Sequence, residues 1–334
     1  MDASLLVPLI IGVALLFDFL NGMNDAANSV ATVVATRVLS PRLAVIWAAL
    51  FNFAAVFVFG TAVAKAVGKG IVVPDVVDNV FVLAALLGAM VWVWLCTHYG
   101  MPISVSHSLI GGMVGAAIAK GGLATVQWWP GVGKIVVFIF LAPIIGMVLG
   151  AALMVTLLLV VRRSAPQRVD GVFRVLQLAS AAFYSLGHGS NDAQKVAGLI
   201  TALLIANGYL DTKADVPYPV LFLCYTVIGL GTLIGGWRVI RTLGIKVTKL
   251  QPIGGFCAET AGGLTLALTA MSGIPVSTTH TITGAIMGVG SIRRLSAVRW
   301  GVARNIVIAW VTTIPACGLI AALALWLLQG IGRL

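Results

Sequence analysis

The sequence predicts an all-α polytopic integral membrane protein: two inverted-topology repeats with interrupted or re-entrant helices, about 10–12 membrane segments in all. Three observations carry this. The chain is 60% hydrophobic and only 9% charged, against roughly 25% charged in soluble domains. A polar motif embedded in an apolar stretch occurs twice, half a chain length apart. Basic residues alternate between the connections in a pattern that fixes sidedness.

Composition comes first. Apolar runs of roughly 18 or more residues recur from end to end, as membrane-spanning helices require. They do not alternate with period two, which excludes a β-barrel, and only helices otherwise satisfy their backbone in lipid. The net charge of +11 could suggest nucleic acid, but in a membrane chain basic residues mark cytoplasmic loops, so no nucleic-acid partner is expected. Cys96, Cys224, Cys257 and Cys317 stand singly in apolar runs. None has metal-ligand spacing, so they are expected to be core residues and no metal centre is expected. The chain starts Met-Asp with no basic n-region, so no cleavable signal peptide is expected.

Residues 4–38 are apolar except for Asp18 and the motif Asn21-Gly22-Met23-Asn24-Asp25-Ala26-Ala27-Asn28. That length exceeds one straight span of about 20 residues and suits a helix broken in mid-membrane. Spans follow at 43–66 and 79–99. Gly100-Met101-Pro102-Ile103-Ser104-Val105-Ser106-His107 then opens a glycine-rich run to 119, again as a broken or re-entrant segment. Residues 135–161 close the first repeat, residues 1–161. A short polar linker, 162–171, is expected to be cytoplasmic, and 172–334 form the second repeat.

The second repeat restates the order. Residues 172–206 hold His188-Gly189-Ser190-Asn191-Asp192-Ala193-Gln194-Lys195, with Asp192 lying 167 residues after Asp25. Spans follow at 218–236 and 253–271. Gly273-Ile274-Pro275-Val276-Ser277-Thr278-Thr279-His280 answers the Gly100 stretch at an offset of 173, and Gly284 and Gly288 answer Gly111 and Gly115. Residues 305–328 end the chain.

Sidedness follows from Lys and Arg. Four connections hold Arg37 and Arg42; Arg162, Arg163, Arg168 and Arg174; Arg238, Arg241, Lys246 and Lys249; and Arg293, Arg294, Arg299 and Arg304, which is 14 of the 21 basic residues. The remaining connections and the tail hold Lys65, Lys69, Lys120, Lys134, Lys213 and Arg333, with Asp75, Asp78, Asp211 and Asp215. The positive-inside rule makes the rich set cytoplasmic. Each repeat then makes five net crossings, so the second inserts upside down and both termini lie outside. Many secondary transporters share this design, with sites near the midplane at the repeat interface.

Asp18, Asp25, Asp192 and Glu259 are expected inside the membrane, where a carboxylate costs about 2.5–3.5 kcal/mol unless it neutralises, pairs or binds a cation. The duplication singles out Asp25 and Asp192. Asp18 and Glu259 occur once and read equally as packing residues. Gly22 and Gly189 allow backbone that breaks a helix, freeing carbonyls for cations and N–H groups for anions. Asn24, Asn28 and Asn191 add amides that serve either. Ser104, Ser106, Ser277, Thr278 and Thr279 stand where helices begin, and helix N-termini attract anions. The plainer reading of these hydroxyls is capping. Together the elements would form a cage for a small oxyanion with cation sites beside it. His107, His280 and His188 read either as packing histidines or as proton-coupling groups. Lys195 replaces Asn28 in the second copy, either as a tethered cation beside an anion or as a side chain snorkelling to an interface. Trp92, Trp94, Trp128, Trp129, Trp237 and Trp300 fit interfacial belts.

The motif at 22–28, its partner Gly189-Ser190-Asn191-Asp192, and Pro275-Val276-Ser277-Thr278-Thr279-His280 resemble the inorganic phosphate transporter family, in its bacterial branch. The likeness covers nearly the whole chain, with four motifs in order. It implies phosphate import by cation symport across the plasma (inner) membrane and a homodimer in the bilayer. Phosphate contacts then fall to Asn24, Asn28, Asn191, Ser104, Ser106, Ser277, Thr278 and Thr279, and coupling ions to Asp25 and Asp192, with Glu259 added for its buried carboxylate. The linker is shorter than in many relatives, Lys195 replaces the motif's last asparagine, and Asn52 stands where animal members carry glutamate. These departures favour protons over sodium as the coupling cation. The substrate would be HPO4 or H2PO4, alone or as a neutral metal–phosphate complex, and no cofactor is expected. A sulfate or other oxyanion permease of the same fold and a cation exchanger using the paired aspartates are the rivals. An enzyme is not expected, since no HExxH, nucleophile–base spacing or phosphate-binding loop occurs.

Overall fold

The computed structural model describes residues 3–331; Arg333, placed outside by the charge count, lies beyond them. Among those residues the chain is helical, with one isolated β-bridge between Val72 and Val126. The first half runs α1 (Ala3–Ala35), α2 (Pro41–Ala54), α3 (Ala62–Gly70), α4 (Asn79–Tyr99), α5 (Val105–Gly121) and α6 (Gly133–Val161). The second runs α7 (Pro166–Ala206), α8 (Tyr218–Ile234), α9 (Trp237–Arg241, continued by a wider turn to Lys246), α10 (Pro252–Met271), α11 (Thr278–Arg293) and α12 (Trp300–Ile331). The two lists match element for element. Helix α7 begins inside the polar stretch 162–171.

Two expectations are corrected. The helices carrying the Asn-Asp motifs are not broken: α1 and α7 run through Gly22 and Gly189 without interruption. Each glycine instead admits a neighbour. A Cβ on Gly22 would collide with the Ile228 carbonyl of α8, and one on Gly189 with the Asn52 carbonyl of α2. At 1.5 Å per residue the 33-residue α1 and 41-residue α7 are about 50 and 60 Å long, well beyond the ~30 Å hydrocarbon layer. Second, the span expected at 43–66 is two helices, α2 and α3, bent by 81°. Its counterpart, α8 with α9, bends by 65°. By length and composition alone, four helices among the described residues are apolar enough to cross a membrane, or six with the two bent pairs. The central helices carry the polar motifs and glycines, which lower their hydropathy, and they are shielded by their neighbours.

The broken segments at the second motif pair do form. Helix α4 ends at Gly100 with φ +67° and α10 is followed by Gly273 with φ +64°, the left-handed turn that favours glycine. Four non-helical residues follow in each case. Then α5 and α11 start, with 17 and 16 residues, too short to span. The glycines paired in sequence are the seams of the fold. Gly111 and Gly115 of α5 lie against Ile314 and Gly318 of α12, while Gly284 and Gly288 of α11 lie against Pro143 and Met147 of α6. Small residues let helix backbones touch in membranes, where packing replaces the hydrophobic force. Each half therefore grips the other's last helix, and the exchange is reciprocal, as a two-fold relation requires. The four cysteines are buried and free, as core residues should be. Trp94, Trp128, Trp129, Trp237 and Trp300 are exposed, whereas Trp92 is half-buried and donates to Thr313.

Candidate functional site: two carboxylates at the repeat junction

Asp25 on α1 and Asp192 on α7 meet at the centre of the molecule. Together with His188 they form a buried trio whose ligand atoms all lie within 4.8 Å of one another. The starts of α5 and α11 deliver hydroxyls to this point. Ser106 donates to Asp192 Oδ1 at 3.4 Å, and its counterpart Thr279 donates to Asp25 Oδ1 at 3.3 Å. Each hydroxyl thus serves the aspartate of the opposite half.

Beyond that shared pair the two carboxylates differ. Asp192 is saturated. Its Oδ1 also accepts from Lys195 Nζ at 2.7 Å, its Oδ2 accepts from Thr278 at 3.1 Å, and His188 Nε2 stands 3.2 Å away. Asp25 keeps one oxygen, Oδ2, without any hydrogen-bond partner. Asn28, the counterpart of Lys195, donates its amide to Thr278 and Thr279 at 3.2 and 2.9 Å, and its own oxygen has no partner.

The other predicted residues divide into site and scaffold. Ser104 and Ser277 cap α5 and α11, accepting from the N–H of His107 and His280 at 3.1 and 3.2 Å, and they make no bond to either carboxylate. Capping, the plainer reading, describes them. Asn24 donates to Thr97 of α4 at 2.6 Å, and Asn191 donates to the Leu266 carbonyl of α10 at 3.2 Å. The motif's asparagine nitrogens therefore tie α1 and α7 to the equivalent helix of their own half. Both amide oxygens lack partners.

His107 and His280 pack edge to face at 4.7 Å, and His280 stacks on Trp310 at 3.7 Å. They touch each other, one from each half, rather than the aspartates. Glu259 sits in a separate buried cluster, accepting from Thr32 at 2.6 Å, Gln177 at 3.0 Å and Ser180 at 2.5 Å. Asp18 is buried with neither oxygen hydrogen-bonded.

Sequence reasoning missed several participants. Asn52, noted only as a departure, places its amide oxygen 3.0 Å from His188 Nδ1, and its nitrogen donates to Thr232. With the nitrogen so committed, Asn52 Oδ1 is the acceptor and His188 carries its proton on Nδ1. The lone pair of Nε2 then faces the carboxylates. Tyr184 stacks on His188 one turn away and donates to the Thr278 carbonyl at 3.0 Å. Its i,i+4 spacing to His188 was the signal available. The Glu259 partners Thr32, Gln177 and Ser180 carried no pattern at all.

No cysteine or histidine spacing foretold a metal centre, yet Asp25, His188 and Asp192 offer an O, N, O set that a cation could use. The side chains here are almost wholly inaccessible, with Ser106 the most open at 7%.

Such an architecture is that of a multi-pass membrane protein in which buried carboxylates from the two halves of the chain meet. The chain belongs to the phosphate transporter family, whose model matches residues 21–321. It is 54% identical over 97% of its length, and 97% of the other's, to a protein of Rhizobium meliloti described as a probable low-affinity inorganic phosphate transporter. A Bacillus subtilis protein with the same description is 42% identical, covering 98% of this chain and 99% of its own. Among solved structures, one titled "The sodium-dependent phosphate transporter" superimposes with a TM-score of 0.89 at 26% identity, covering 98% of this chain and 99% of that one.

Proposed function

We propose that this chain imports inorganic phosphate across the plasma membrane by cation symport, through alternating access around the Asp25–Asp192 site. The observation that carries this reading is the convergence of two carboxylates from the two halves with hydroxyls at two helix starts, all of them buried. A carboxylate pair alone repels an anion, so cations must enter with the substrate. The proton is the favoured coupling ion, because Asp25 Oδ2 and His188 Nε2 are buried acceptors without hydrogen-bond partners. Sodium is the second reading, favoured by the name of the solved relative. Asn28, Ser106, Thr278 and Thr279 are the contacts offered to phosphate, and a divalent metal could travel with it as cargo.

The inverted arrangement of the repeats is part of the proposal. Lys65 pairs with Asp215 at 2.7 Å, Lys69 donates to the Thr212 carbonyl and Lys120 pairs with Asp78. The connections poor in basic residues thus gather on one face. Arg174 reaches the Arg37 carbonyl, Arg238 the His98 carbonyl, and the Arg299 N–H the Val247 carbonyl, which gathers the rich connections. Helix α4 leaves the first face at Asn79 and arrives beside Arg238. Its counterpart α10 leaves the second face and ends at Gly273, against Ala62. Opposite directions for equivalent helices support inversion, with both termini outside and assembly as a homodimer.

The test is labelled phosphate uptake into proteoliposomes carrying the purified protein. Uptake driven by an inward proton gradient without sodium, competed by phosphate and not by sulfate, is expected. Sulfate competing equally would move the chain to a broader oxyanion permease. Cation flux without phosphate entry in the unaltered protein, left unharmed by Ser277→Ala and Ser104→Ala, would favour a cation exchanger.

A further inference from the structure

The Lys195 ammonium has three N–H donors and three oxygen acceptors: Ser106 Oγ at 2.5 Å, Asp192 Oδ1 at 2.7 Å and the Val276 carbonyl at 2.8 Å. A hydroxyl, a carboxylate and a backbone carbonyl are the ligand types that hard cations take. The side chain is 2% exposed, so it does not snorkel. It fills a cation cage formed by both repeats, Ser106 from the first and Asp192 and Val276 from the second.

The mirror position makes the reading specific. Counted by the motif offsets, Lys195 corresponds to Asn28, Ser106 to Thr279 and Asp192 to Asp25. There the same hydroxyl–carboxylate pair exists, Thr279 to Asp25, but an amide replaces the ammonium. Asp25 Oδ2 and Asn28 Oδ1 are both buried without partners. One cage holds a lysine; its twin holds two orphaned oxygens.

We propose that Lys195 is a covalently tethered cation permanently occupying one of two equivalent cation positions, leaving the Asp25 cage alone for a mobile cation. The fixed charge balances Asp192 throughout the cycle, so each substrate travels with one mobile cation fewer than in a chain with asparagine at position 195. This deepens the transport reading by assigning what limits coupling stoichiometry, and it rests on that reading only for the word coupling.

The experiment replaces Lys195 with the residue of the twin cage. Wild type, Lys195→Asn and the double variant Asp192→Asn/Lys195→Asn are purified as full chains and melted in sodium chloride or choline chloride without phosphate. Lys195→Asn is expected to gain a sodium-dependent rise in Tm that saturates, since a ligand binding only the native state stabilises it by mass action. Wild type and the double variant should show no such added rise. In proteoliposomes, Lys195→Asn is expected to take up phosphate about tenfold faster in sodium than in choline, as a cation filling a site worth about one decade would give.

A sodium response of Lys195→Asn no larger than wild type overturns the proposal. So does failure of Lys195→Asn to fold in every cation while the double variant folds, because an emptied cage would then not refill. Recovery of Lys195→Asn in sodium alone supports it. Melting needs no phosphate, so a sodium gain without phosphate uptake would reject the transport reading and leave the cation cage standing.

Discussion

The two copies of the Asn-Asp motif share a backbone and part ways in charge. In the second copy Asp192 is bound by Lys195, Ser106 and Thr278 and flanked by His188. In the first, Asp25 receives one hydroxyl from Thr279 and leaves an oxygen free. The positions that fill the difference are read directly from the offsets. Lys195 faces Asn28, His188 faces Asn21, and Thr278 faces Val105. Lys195 and Thr278 give Asp192 partners that Asn28 and Val105, at the equivalent positions, do not give Asp25. A site that binds and releases an ion needs an unsatisfied group; a site that holds two halves together needs none.

The largest effect should separate these roles. Asp192→Asn strands the Lys195 charge inside the protein, and removing one partner of a buried pair typically costs about 3–5 kcal/mol. A strong loss of folded protein on size exclusion is expected. Asp25→Asn, isosteric and without a buried partner charge, should change stability by less than about 1 kcal/mol while abolishing labelled phosphate uptake. Equal stability of the two variants would break the comparison.

Next come the motif glycines. Gly22→Ala and Gly189→Ala put a methyl against a facing carbonyl in each half, and overpacking of this kind costs about 1–3 kcal/mol. Both should lower Tm similarly, because here the copies are alike. A hinge role would instead leave Tm intact and slow uptake.

Glu259→Gln offers a comparable but one-sided effect. Its carboxylate takes three donors, and an amide oxygen can accept from only two of them, so one hydrogen bond to a charged acceptor is lost at about 1.5–3 kcal/mol. The equivalent places around Leu86 are apolar: by the motif offsets Ile10, Leu86 and Leu199 correspond to Gln177, Glu259 and Thr32, and all three are buried. A Leu86→Gln variant should therefore be worse than Glu259→Gln, since no donor awaits it. Melting temperatures of the pair decide this.

The smallest effect lies outside the membrane. Lys65, by hydrogen bond and charge, holds the Asp215 carboxyl below its ordinary value. A depressed folded value means the link is present above the unfolded carboxylate pKa of about 3.9 and lost as pH falls through the lower folded value. The pair is exposed, so screening keeps it weak. Asp215→Asn should leave Tm at neutral pH nearly unchanged and remove only a slight acid-dependent decline.

Much of this was legible before any coordinates. Helix boundaries at 79–99 and the glycine-closed, serine-capped starts of α5 and α11 follow from local rules: αL glycine, extended proline, a hydroxyl before the first turn. The meeting of Asp25 and Asp192 was signalled by their equal places in a repeat. The uninterrupted course of α1 and α7 was not, because a glycine in a helix that breaks and one that packs look identical in sequence. Only the facing carbonyls of Ile228 and Asn52 distinguish them. The Glu259 cluster was invisible for a different reason: its four members come from three helices and share no spacing.

By itself the sequence determined a helical membrane chain, its recurring polar motifs and the pair of acids within them, since charge scarcity, period and repetition are properties of the order of residues. Only the tertiary structure decided which oxygen is filled and which is left bare. Partnership at a buried carboxylate depends on distances of a few ångströms between side chains from opposite halves, and no one-dimensional pattern encodes them.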